Sequence, residues 1–465
     1  MEKQSKKEDQ KHLEIQEMLQ AKNTEALLEA FQEMPAIEVA EILSELDEEE
    51  IIEYLLLFDM GDQGRIFSDF DFDLQLELFE LIDRSHFADI FKHMPSDIRA
   101  DLYQELDIEQ QLQLLPFLDK RTREDVIHLS SYPPETAGGI MSTDFATVVS
   151  NMSVEQAIEK VRRDAPSKKM VYYIYVVDER MKMKGFITLK DLILEDPKTL
   201  VEDALHENFI YAEVNEDRES VAAKIEKYDL VAIPVLNPLS QLVGIVRHDE
   251  ALEVIRAEHT EDFEKFMGIV PDAEGIPYLE TTAFQHFRKR IVWIVTLAAV
   301  GIISGMIVHN YENTLEQLII LALYMPMMAD TGGNAGSQSA TVVVRALALG
   351  QITISNWFRI IFKEARVSLL LALCLGALAY AKVLFLSNET NIPSQYNLSV
   401  IAMFISLALT LQVITSTIIG ASLPLLVKRC GGDPAVAASP AITTVVDITG
   451  LLIYFRLATL FFNIS

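Results

Sequence analysis

After residue 284, five apolar stretches dominate the sequence, and each is long enough to cross a lipid bilayer. A membrane-spanning helix needs about 20 mainly apolar residues, and only helices and closed barrels keep all backbone polar groups paired within lipid. Residues 285–465 are therefore predicted to form an all-α transmembrane domain of five helices. The predicted spans cover about residues 291–308, 315–344, 367–386, 398–427 and 434–462.

The last predicted span contains a carboxylic acid. Asp447 lies near its middle, and Thr443 precedes it by one helical turn. An ionised acid at that depth costs roughly 3 kcal/mol or more unless it faces the bundle interior, a water-filled path or a cation. Asp447 is thus either a cation-binding group in a pore or a protonated acid that joins helices through hydrogen bonds. Pro440 is expected to free a backbone carbonyl inside the same span.

The second predicted span has one polar face. Asp330, Asn334 and Gln338 recur at four-residue spacing, which places them on the same side of a helix. Gly332 and Gly336 form a small-residue pair that lets another helix backbone approach closely. Helix packing explains the glycines, but it does not explain an acid and two amides. This polar face is therefore predicted to line a wet path through the membrane domain.

Charge is distributed unevenly along the chain. Residues 1–284 carry 28 basic and 62 acidic residues, a net charge of −34, whereas residues 285–465 carry 11 and 7, a net charge of +4. A segment this acidic repels nucleic acid and anionic lipid. We therefore expect no nucleic-acid partner. It attracts cations, although solubility alone is a simpler reason for its charge. The two cysteines, Cys374 and Cys430, provide no disulfide framework.

Basic residues near the spans predict the orientation in the membrane. They fall on alternate connections, and the other two connections have no Lys or Arg, so the positive-inside rule places the N-terminus in the cytosol and Ser465 outside. The acidic N-terminus has no signal-peptide pattern, in agreement with a cytosolic N-terminal half. The basic residues are Arg288, Lys289 and Arg290, then Arg345, Arg359, Lys363 and Arg366, then Lys428 and Arg429.

The first 131 residues are predicted to be helical. Residues 1–20 form a flexible polar tail, and residues 21–131 form an acidic domain of short amphipathic helices. An internal repeat places Met34-Pro35 and Met94-Pro95 60 residues apart, with similar residues after each pair. Such a repeat indicates a superhelical stack of helix pairs.

Two β-rich units follow, predicted at residues 132–197 and 198–250. Each has an apolar strand, a polar turn, a glycine (Gly185 or Gly244) and a second strand that leads into a helix. This tandem resembles a pair of α/β cystathionine β-synthase (CBS) domains. The resemblance implies a regulatory module with approximate twofold symmetry, for which an adenosyl nucleotide is a candidate ligand.

An acidic connecting helix and a linker are predicted at residues 251–284. Neighbouring like charges destabilise a helix by roughly 0.3 kcal/mol per pair, and a bound divalent cation would relieve this repulsion. A solvated helix face is the simpler explanation of such a charge run. The acids are Glu253, Glu258, Glu261, Asp262 and Glu264.

Together these features resemble the MgtE family of magnesium transporters and channels. The resemblance covers the multidomain order of acidic helical domain, CBS pair, connecting (plug) helix and five spans, and it is most specific at residues 331–341 and 433–450. It implies a homodimer in the cell membrane with one pore at the subunit interface. It also implies that Asp447 and the Thr443 carbonyl bind Mg²⁺, that Asn334 lies along the pore, and that Asp433 lies at its cytosolic mouth.

The same resemblance implies that Mg²⁺ is a regulatory ion as well as the transported one. Ions bound by the cytosolic acids would hold the pore shut, and the N-domain ligands are left unassigned. Glu250 and Glu253 stand where the family has aspartate. The acids implied are Asp217, Glu219, Asp229, Glu250, Glu253, Glu258, Glu261 and Asp262.

Other functions are compatible with parts of this pattern. The chain could be a CBS-regulated transporter of another divalent cation such as Co²⁺, or of an anion, or a nucleotide-sensing receptor whose spans only anchor it. An anion is disfavoured because the titratable groups of the polar faces are Asp330 and Asp447. Neither a P-loop nor an HExxH motif is present, so we predict no enzymatic activity and no ATP-driven pumping through a P-loop.

Overall fold

The computed structural model describes residues 15, 24–32, 34–164, 170–271, 278–279, 281–387, 396–437 and 439–463. The chain divides into two compact units, Met1–Ile255 and Arg256–Ser465. The predicted flexible tail lies outside the described residues except for Ile15, which is helical and buried in the hydrophobic core of the N-terminal helices.

The N-terminal part of the first unit is an array of short helices, as predicted. A helix-cap residue recurs every twelfth position, because Pro35, Asp47, Asp59, Asp71, Asp83, Pro95, Asp107 and Asp119 each precede a helix. The 60-residue repeat seen in the sequence is five of these steps. The helices described here are α1 (Thr24–Gln32), α2 (Ala36–Leu43), α3 (Glu48–Leu55), α4 (Met60–Ser68), α5 (Phe72–Leu81), α6 (Arg84–His93), α7 (Ser96–Glu105), α8 (Ile108–Leu114) and α9 (Lys120–Leu129).

Acidic caps explain part of the negative charge of this region. Asp59, Asp83, Asp107 and Asp119 each accept a hydrogen bond from a backbone N–H in the first helical turn. An acid at this position satisfies an unpaired donor and interacts favourably with the helix dipole. These carboxylates are therefore structural, and they are not evidence for cation binding.

Two small sheets of equal topology follow and confirm the CBS tandem. In each sheet the first strand is parallel to the second, and the second is antiparallel to the third. The first sheet contains β1 (Phe145–Val149), β2 (Met170–Val177) and β3 (Met183–Thr188), with helices α10 (Val154–Asp164), α11 (Leu189–Leu194) and α12 (Val201–Ala204). The second contains β4 (Ala212–Glu213), β5 (Ala232–Leu236) and β6 (Leu242–Arg247), with helix α13 (Arg218–Tyr228).

The two sheets exchange their flanking segments. Ser142 precedes the first sheet but bridges to Ile245 in the second, and His206 precedes the second sheet but bridges to Phe186 in the first. The acidic connecting helix, α14 (His248–Phe266), begins directly after β6. The predicted domain limits at residues 132, 198 and 251 stay predictions, and each unit of the tandem contributes a bridging residue to the sheet of the other.

Among its described residues the second unit has five long helices, the number predicted. They are α15 (Ala283–Asn310), α17 (Ile320–Ala348), α18 (Trp357–Leu386), α19 (Leu398–Arg429) and α20 (Ser439–Phe462), and the short α16 (Glu312–Gln317) precedes α17. Four of them, all except α17, are long and apolar enough to cross a membrane by length and composition. The 29 residues of α17 span about 44 Å, but its glycines and polar side chains lower its hydropathy.

The last span differs from its prediction at its beginning. A short 3₁₀ turn occupies Pro434–Val436, and α20 begins only at Ser439. Pro440 therefore lies in the first turn of a helix, where its missing N–H would have had no partner in any case. The expectation that Pro440 frees a carbonyl inside the span was wrong. Prolines inside the long helices are instead Pro326 in α17 and Pro424 in α19.

Candidate ion pathway and regulatory acids

Glycines allow α17 to pack directly against its neighbours. Gly332 and Gly336 are buried, and a Cβ placed on Gly336 would lie 3.2 Å from the Ser416 carbonyl oxygen. A Cβ placed on Gly420 of α19 would lie 2.0 Å from the Gly336 carbonyl oxygen, which leaves no space for any side chain. The small-residue motif thus serves helix packing, as expected from its spacing.

The opposite side of α17 carries the polar residues. Asp330, Asn334 and Gln338 are exposed, and Asn334 Nδ2 lies 3.3 Å from Asp330 Oδ1, to which it donates a hydrogen bond. These side chains lie on an outer surface of the single chain, and the chain itself does not enclose them. Polar groups that face lipid are costly, so this surface requires water or another protein chain beside it.

Thr443 lies on α20 against Gly333 of α17, and Asp447 follows it by one turn on the same helix. Thr443 Oγ1 donates to the Ser439 carbonyl at 3.0 Å, and its methyl group would lie 2.9 Å from a Cβ on Gly333. Asp447 is half-buried, and its Oδ1 atom is buried without a hydrogen-bond partner among the described residues. A buried oxygen in this state is costly unless a proton, a water molecule or a cation satisfies it.

The predicted acids Glu261, Asp262 and Asp433 come together near one end of the second unit. Asp433 caps the Pro434–Val436 turn by accepting from the Ala435 N–H at 2.9 Å. Lys265 Nζ, which the sequence analysis missed, lies 2.9 Å from Asp433 Oδ2 and 2.7 Å from Glu261 Oε1. An ammonium group therefore bridges the acidic helix and the start of the last span.

Charges in this group shift one another's pKa values. Burial, followed by the nearby Asp433, raises the pKa of Asp262. Burial by itself would lower the pKa of Lys265, but its hydrogen bonds to Glu261 and Asp433 hold that pKa above its ordinary value. Lys265 is therefore a permanent positive charge where a divalent ion is predicted.

The remaining acids of the second CBS unit do not come together within one chain. Asp217 caps the N-terminus of α13 by accepting from the backbone N–H groups of Glu219 and Ser220. Asp229 lies at the other end of this 11-residue helix, in a left-handed conformation with φ 51°. The length of α13, about 16 Å, separates Asp229 from Asp217 and Glu219.

Glu250 lies in a buried ion-pair network that includes a residue of the N-terminal helices. Arg247 Nη2 lies 2.9 Å from Asp97 Oδ2 and 2.8 Å from Glu250 Oε1, while its Nε lies 3.0 Å from Asp249 Oδ1. Burial, followed by Asp97, raises the pKa of Glu250, although Arg247 opposes this shift. Three acids share one guanidinium group, so there are more carboxyl groups here than Arg247 can balance.

Asp101 extends this acidic cluster toward α14. Burial, followed by the charges of Asp97, Glu105 and Glu253, raises the pKa of Asp101 to about 7. Asp97 and Asp101 are therefore the acids of the N-terminal helices that lie beside Arg247 and Glu253, a contact that the sequence did not indicate. Their four-residue spacing on α7 is the signal that could have indicated them. Glu258 is half-exposed further along α14.

Within the described residues, no three His, Cys, Asp or Glu side chains are arranged to hold a metal ion. The acidic clusters of the single chain are therefore incomplete as metal sites. Mg²⁺ usually keeps several of its waters and binds through one or two carboxylates, so such incomplete sites fit this ion.

Family models match three parts of the chain. A divalent cation transporter model matches residues 325–457, the intracellular N domain of MgtE matches residues 34–135, and a CBS domain matches residues 137–198. Solved structures match the N-terminal half. The soluble part of a magnesium transporter aligns at 29% identity with a TM-score of 0.51, over 54% of this chain and 98% of that one. The cytosolic domain of the Mg²⁺ channel MgtE in complex with ATP aligns at 32% identity with a TM-score of 0.50, over 52% and 99%.

Full-length relatives extend the similarity across both units. The magnesium transporter MgtE of Thermus thermophilus is 38% identical over 348 residues, which cover 75% of each chain. Its namesakes from Enterococcus faecalis and Bacillus subtilis are 34% and 33% identical, over 72% of this chain and 71% of theirs. Because the identity is this high over most of the chain, the protein belongs to the MgtE family of magnesium transporters.

Proposed function

We propose that this chain transports Mg²⁺ across the cell membrane as a channel. The observation that carries the proposal is the buried Asp447 Oδ1, which has no hydrogen-bond partner among the described residues and follows by one turn the Thr443 side chain that packs against Gly333 of α17. Relatives of similar length named as magnesium transporters support Mg²⁺ over Co²⁺, an anion or a signalling role.

The pore of this channel would form between two copies of the chain. The exposed residues Asp330, Asn334 and Gln338 follow one side of α17 over more than two helical turns. A second copy would cover this side, and the facing polar groups would then line water in place of lipid. This arrangement supports a homodimer with Asn334 along the pore.

A hydrated ion suits the groups that the pore would present. Mg²⁺ releases its waters reluctantly, so it would be held through those waters by Asp447 and by carbonyl oxygens such as that of Thr443. Two Asp447 carboxylates facing each other would repel when no ion is present. An entering divalent cation offsets this repulsion, which favours it over a monovalent ion.

Cytosolic Mg²⁺ would close the channel by neutralising the acidic clusters. One cluster contains Glu261, Asp262 and Asp433, and the other contains Asp97, Asp101 and Glu250. Each holds more acids than its own Lys265 or Arg247 can neutralise. A divalent ion would draw these acids together, and its loss would leave repulsion between the elements that carry them. The exposed acids Asp217, Glu219 and Asp229 would complete sites with groups from a partner chain.

Replacing the pore acid tests the transport function. We expect Asp447→Ala to abolish Mg²⁺ uptake, because the variant has lost the charge that attracts the ion. Growth of a strain without other Mg²⁺ uptake routes would be measured at low Mg²⁺, with the amount of protein in the membrane checked by immunoblot. Thr459→Val on the same helix, where the hydroxyl bonds only the Arg456 carbonyl, is the matched control. Normal growth with Asp447→Ala would contradict the proposal.

Removal of the cytosolic part tests the regulation. We expect a chain without residues 1–284 to conduct and to stay open in millimolar Mg²⁺, because both acidic clusters are then incomplete. Patch-clamp recordings of excised membranes would compare it with the full chain. Retention of the Mg²⁺ block by the shortened chain would rule out a sensing role for the cytosolic part, while leaving the transport function intact.

An adenosyl nucleotide is a second proposed ligand, at the CBS pair. The support is the alignment with a cytosolic MgtE domain that was solved in complex with ATP. Isothermal titration of ATP into the detergent-solubilised full chain would test this. Absence of binding heat at millimolar ATP would dismiss the nucleotide without affecting the other proposals.

A further inference from the structure

We infer that Gln412 is a positioning residue that fixes the turn of α20 bearing Asp447 and thereby sets the ion selectivity. This inference rests on the proposed function, since it concerns the same pore acid. Gln412 lies on α19, is fully buried, and donates a hydrogen bond from Nε2 to the Val446 carbonyl at 3.1 Å. Val446 immediately precedes Asp447.

Two glycines on two other helices make room for this one amide group. A Cβ on Gly332 of α17 would lie 2.4 Å from Gln412 Nε2, and a Cβ on Gly450 of α20 would lie 2.1 Å from the same atom. Gln412 therefore lies at the junction of α17, α19 and α20. If Gln412 only filled space, an apolar side chain would serve equally well. The buried amide, with a glycine facing it on each of two helices, indicates a role for its hydrogen bond.

The bonds at Val446 restrain the backbone next to the pore acid. Its carbonyl also accepts from Thr449 Oγ1 at 3.0 Å, so two side chains hold one backbone oxygen. Because a helical turn is nearly rigid, fixing this carbonyl fixes the direction in which the neighbouring Asp447 side chain leaves the helix. Gln412 Oε1 has no partner among the described residues, although an unpaired buried acceptor is costly. A buried glutamine with an unpaired Oε1 atom is explained if the hydrogen bond from its Nε2 atom is required.

A positioned carboxylate can distinguish ions by their hydration. Mg²⁺ demands near-ideal octahedral geometry and keeps its waters, whereas Co²⁺ binds a given set of N and O ligands more readily. Because the two hydrated ions are of nearly the same size, the carboxylate has to discriminate by its distance. A carboxylate held at the distance of a water-mediated contact accepts hydrated Mg²⁺ and denies Co²⁺ the direct bond that Co²⁺ forms more readily. We therefore expect loss of the Gln412 bond to relax selectivity before it abolishes conduction.

The test compares Mg²⁺ and Co²⁺ uptake into liposomes that contain the purified full chain. Gln412→Met keeps much of the side-chain volume but removes the hydrogen-bond donor. We expect the Co²⁺-to-Mg²⁺ rate ratio to rise about fivefold, the factor that corresponds to the net free energy of one hydrogen bond. The ratio is insensitive to the fraction of folded protein, so a purely structural role would not change it. Gln412→Ala, which cannot clash with its neighbours, answers the same question if the Met variant fails to fold.

Thr417→Val is the matched control. Thr417 is equally buried on α19, but its hydroxyl bonds only the Val413 carbonyl of its own helix, so the ratio should stay at the wild-type value. An unchanged ratio in folded Gln412 variants would overturn the inference while wild-type Mg²⁺ uptake still supports the proposed function. If the wild-type chain itself transports no Mg²⁺, the proposed function fails instead.

Discussion

Single residues decide how each acid of this protein is neutralised. Among the described residues, Asp447 has one oxygen without a hydrogen-bond partner, Asp433 is paired with Lys265, and Asp97 and Glu250 share Arg247. A carboxylate that already has a fixed cation gains less from Mg²⁺ than one without, because the local repulsion is partly relieved. The three proposed sites should therefore differ in affinity, with Lys265 and Arg247 lowering the Mg²⁺ affinity of the two sites that are proposed to be cytosolic.

Lys265→Met tests this competition. We expect the variant to close at a several-fold lower Mg²⁺ concentration, roughly threefold to tenfold, because Glu261 and Asp433 lose the ammonium group that competes with the ion. Without Mg²⁺ it should be more open, since the tethered cation no longer bridges the two elements. The measurement is open probability against cytosolic Mg²⁺ in patch recordings.

Its control is Lys227→Met, at an exposed lysine of α13 whose ammonium lies over the Tyr228 ring. This change removes the same charge from the chain without touching the Asp433 cluster. An equal shift in both variants would mean that overall charge, and not the Lys265 bridge, determines the closing concentration.

At the scale of elements, the twelve-residue repetition of helix caps organises the N-terminal helices. The sequence analysis detected it only as a 60-residue repeat, because the Met-Pro pairs recur at every fifth step and aspartate occupies the caps between them. The structure also shows that some cap side chains accept a hydrogen bond from a backbone N–H of their helix and that others do not. Asp107 forms a capping box with Gln110, whereas the Asp71 side chain makes no such bond.

This difference predicts unequal effects on stability. Asp107→Ala should lower the free energy of unfolding by about 1 kcal/mol, since it removes a cap hydrogen bond and an acid at a helix N-terminus. Asp71→Ala removes the same charge at an equivalent position and should cost clearly less. Thermal unfolding of the two purified variants would be compared with that of the wild type. Equal losses of stability would contradict the prediction, because the cap hydrogen bond would then make no difference.

Prediction at this scale worked best where a periodic pattern was long. The five long helices follow directly from apolar length and periodicity, whereas the CBS pair was predicted from the resemblance of its two β-rich units to that module. Helix α17 was predicted in spite of its polar residues, which make it less apolar than the other four long helices. The beginning of the last span was misjudged, because the apolar run continues through a 3₁₀ turn that composition does not reveal.

At the scale of the whole molecule, the proposed topology places residues 1–284 in the cytosol. The basic residues Lys428 and Arg429 end α19, and the exposed Cys430 follows them directly. The positive-inside rule puts this end on the cytosolic side. The other cysteine, Cys374, lies in the middle of α18 and would face the apolar part of the bilayer.

Cysteine labelling tests this topology. A membrane-impermeant maleimide should modify Cys430 in inside-out vesicles but not in intact cells, because the thiol lies on the cytosolic side. Cys430→Ala is the control and should lose this labelling, since Cys374 is shielded by lipid. Labelling of Cys430 from outside intact cells would reverse the proposed orientation.

The order of the domains, the number of long apolar helices and the types of residue that could meet a cation can be read from the amino-acid sequence. These properties depend on local periodicity and on residue chemistry, which are the same in every conformation of the chain. Which charges meet is evident only in the folded structure. It placed Lys265 on Asp433, Arg247 between Asp97 and Glu250, and Gln412 against the Val446 carbonyl. These contacts join residues distant in sequence, and a pairing between distant residues leaves no periodic signal along the chain.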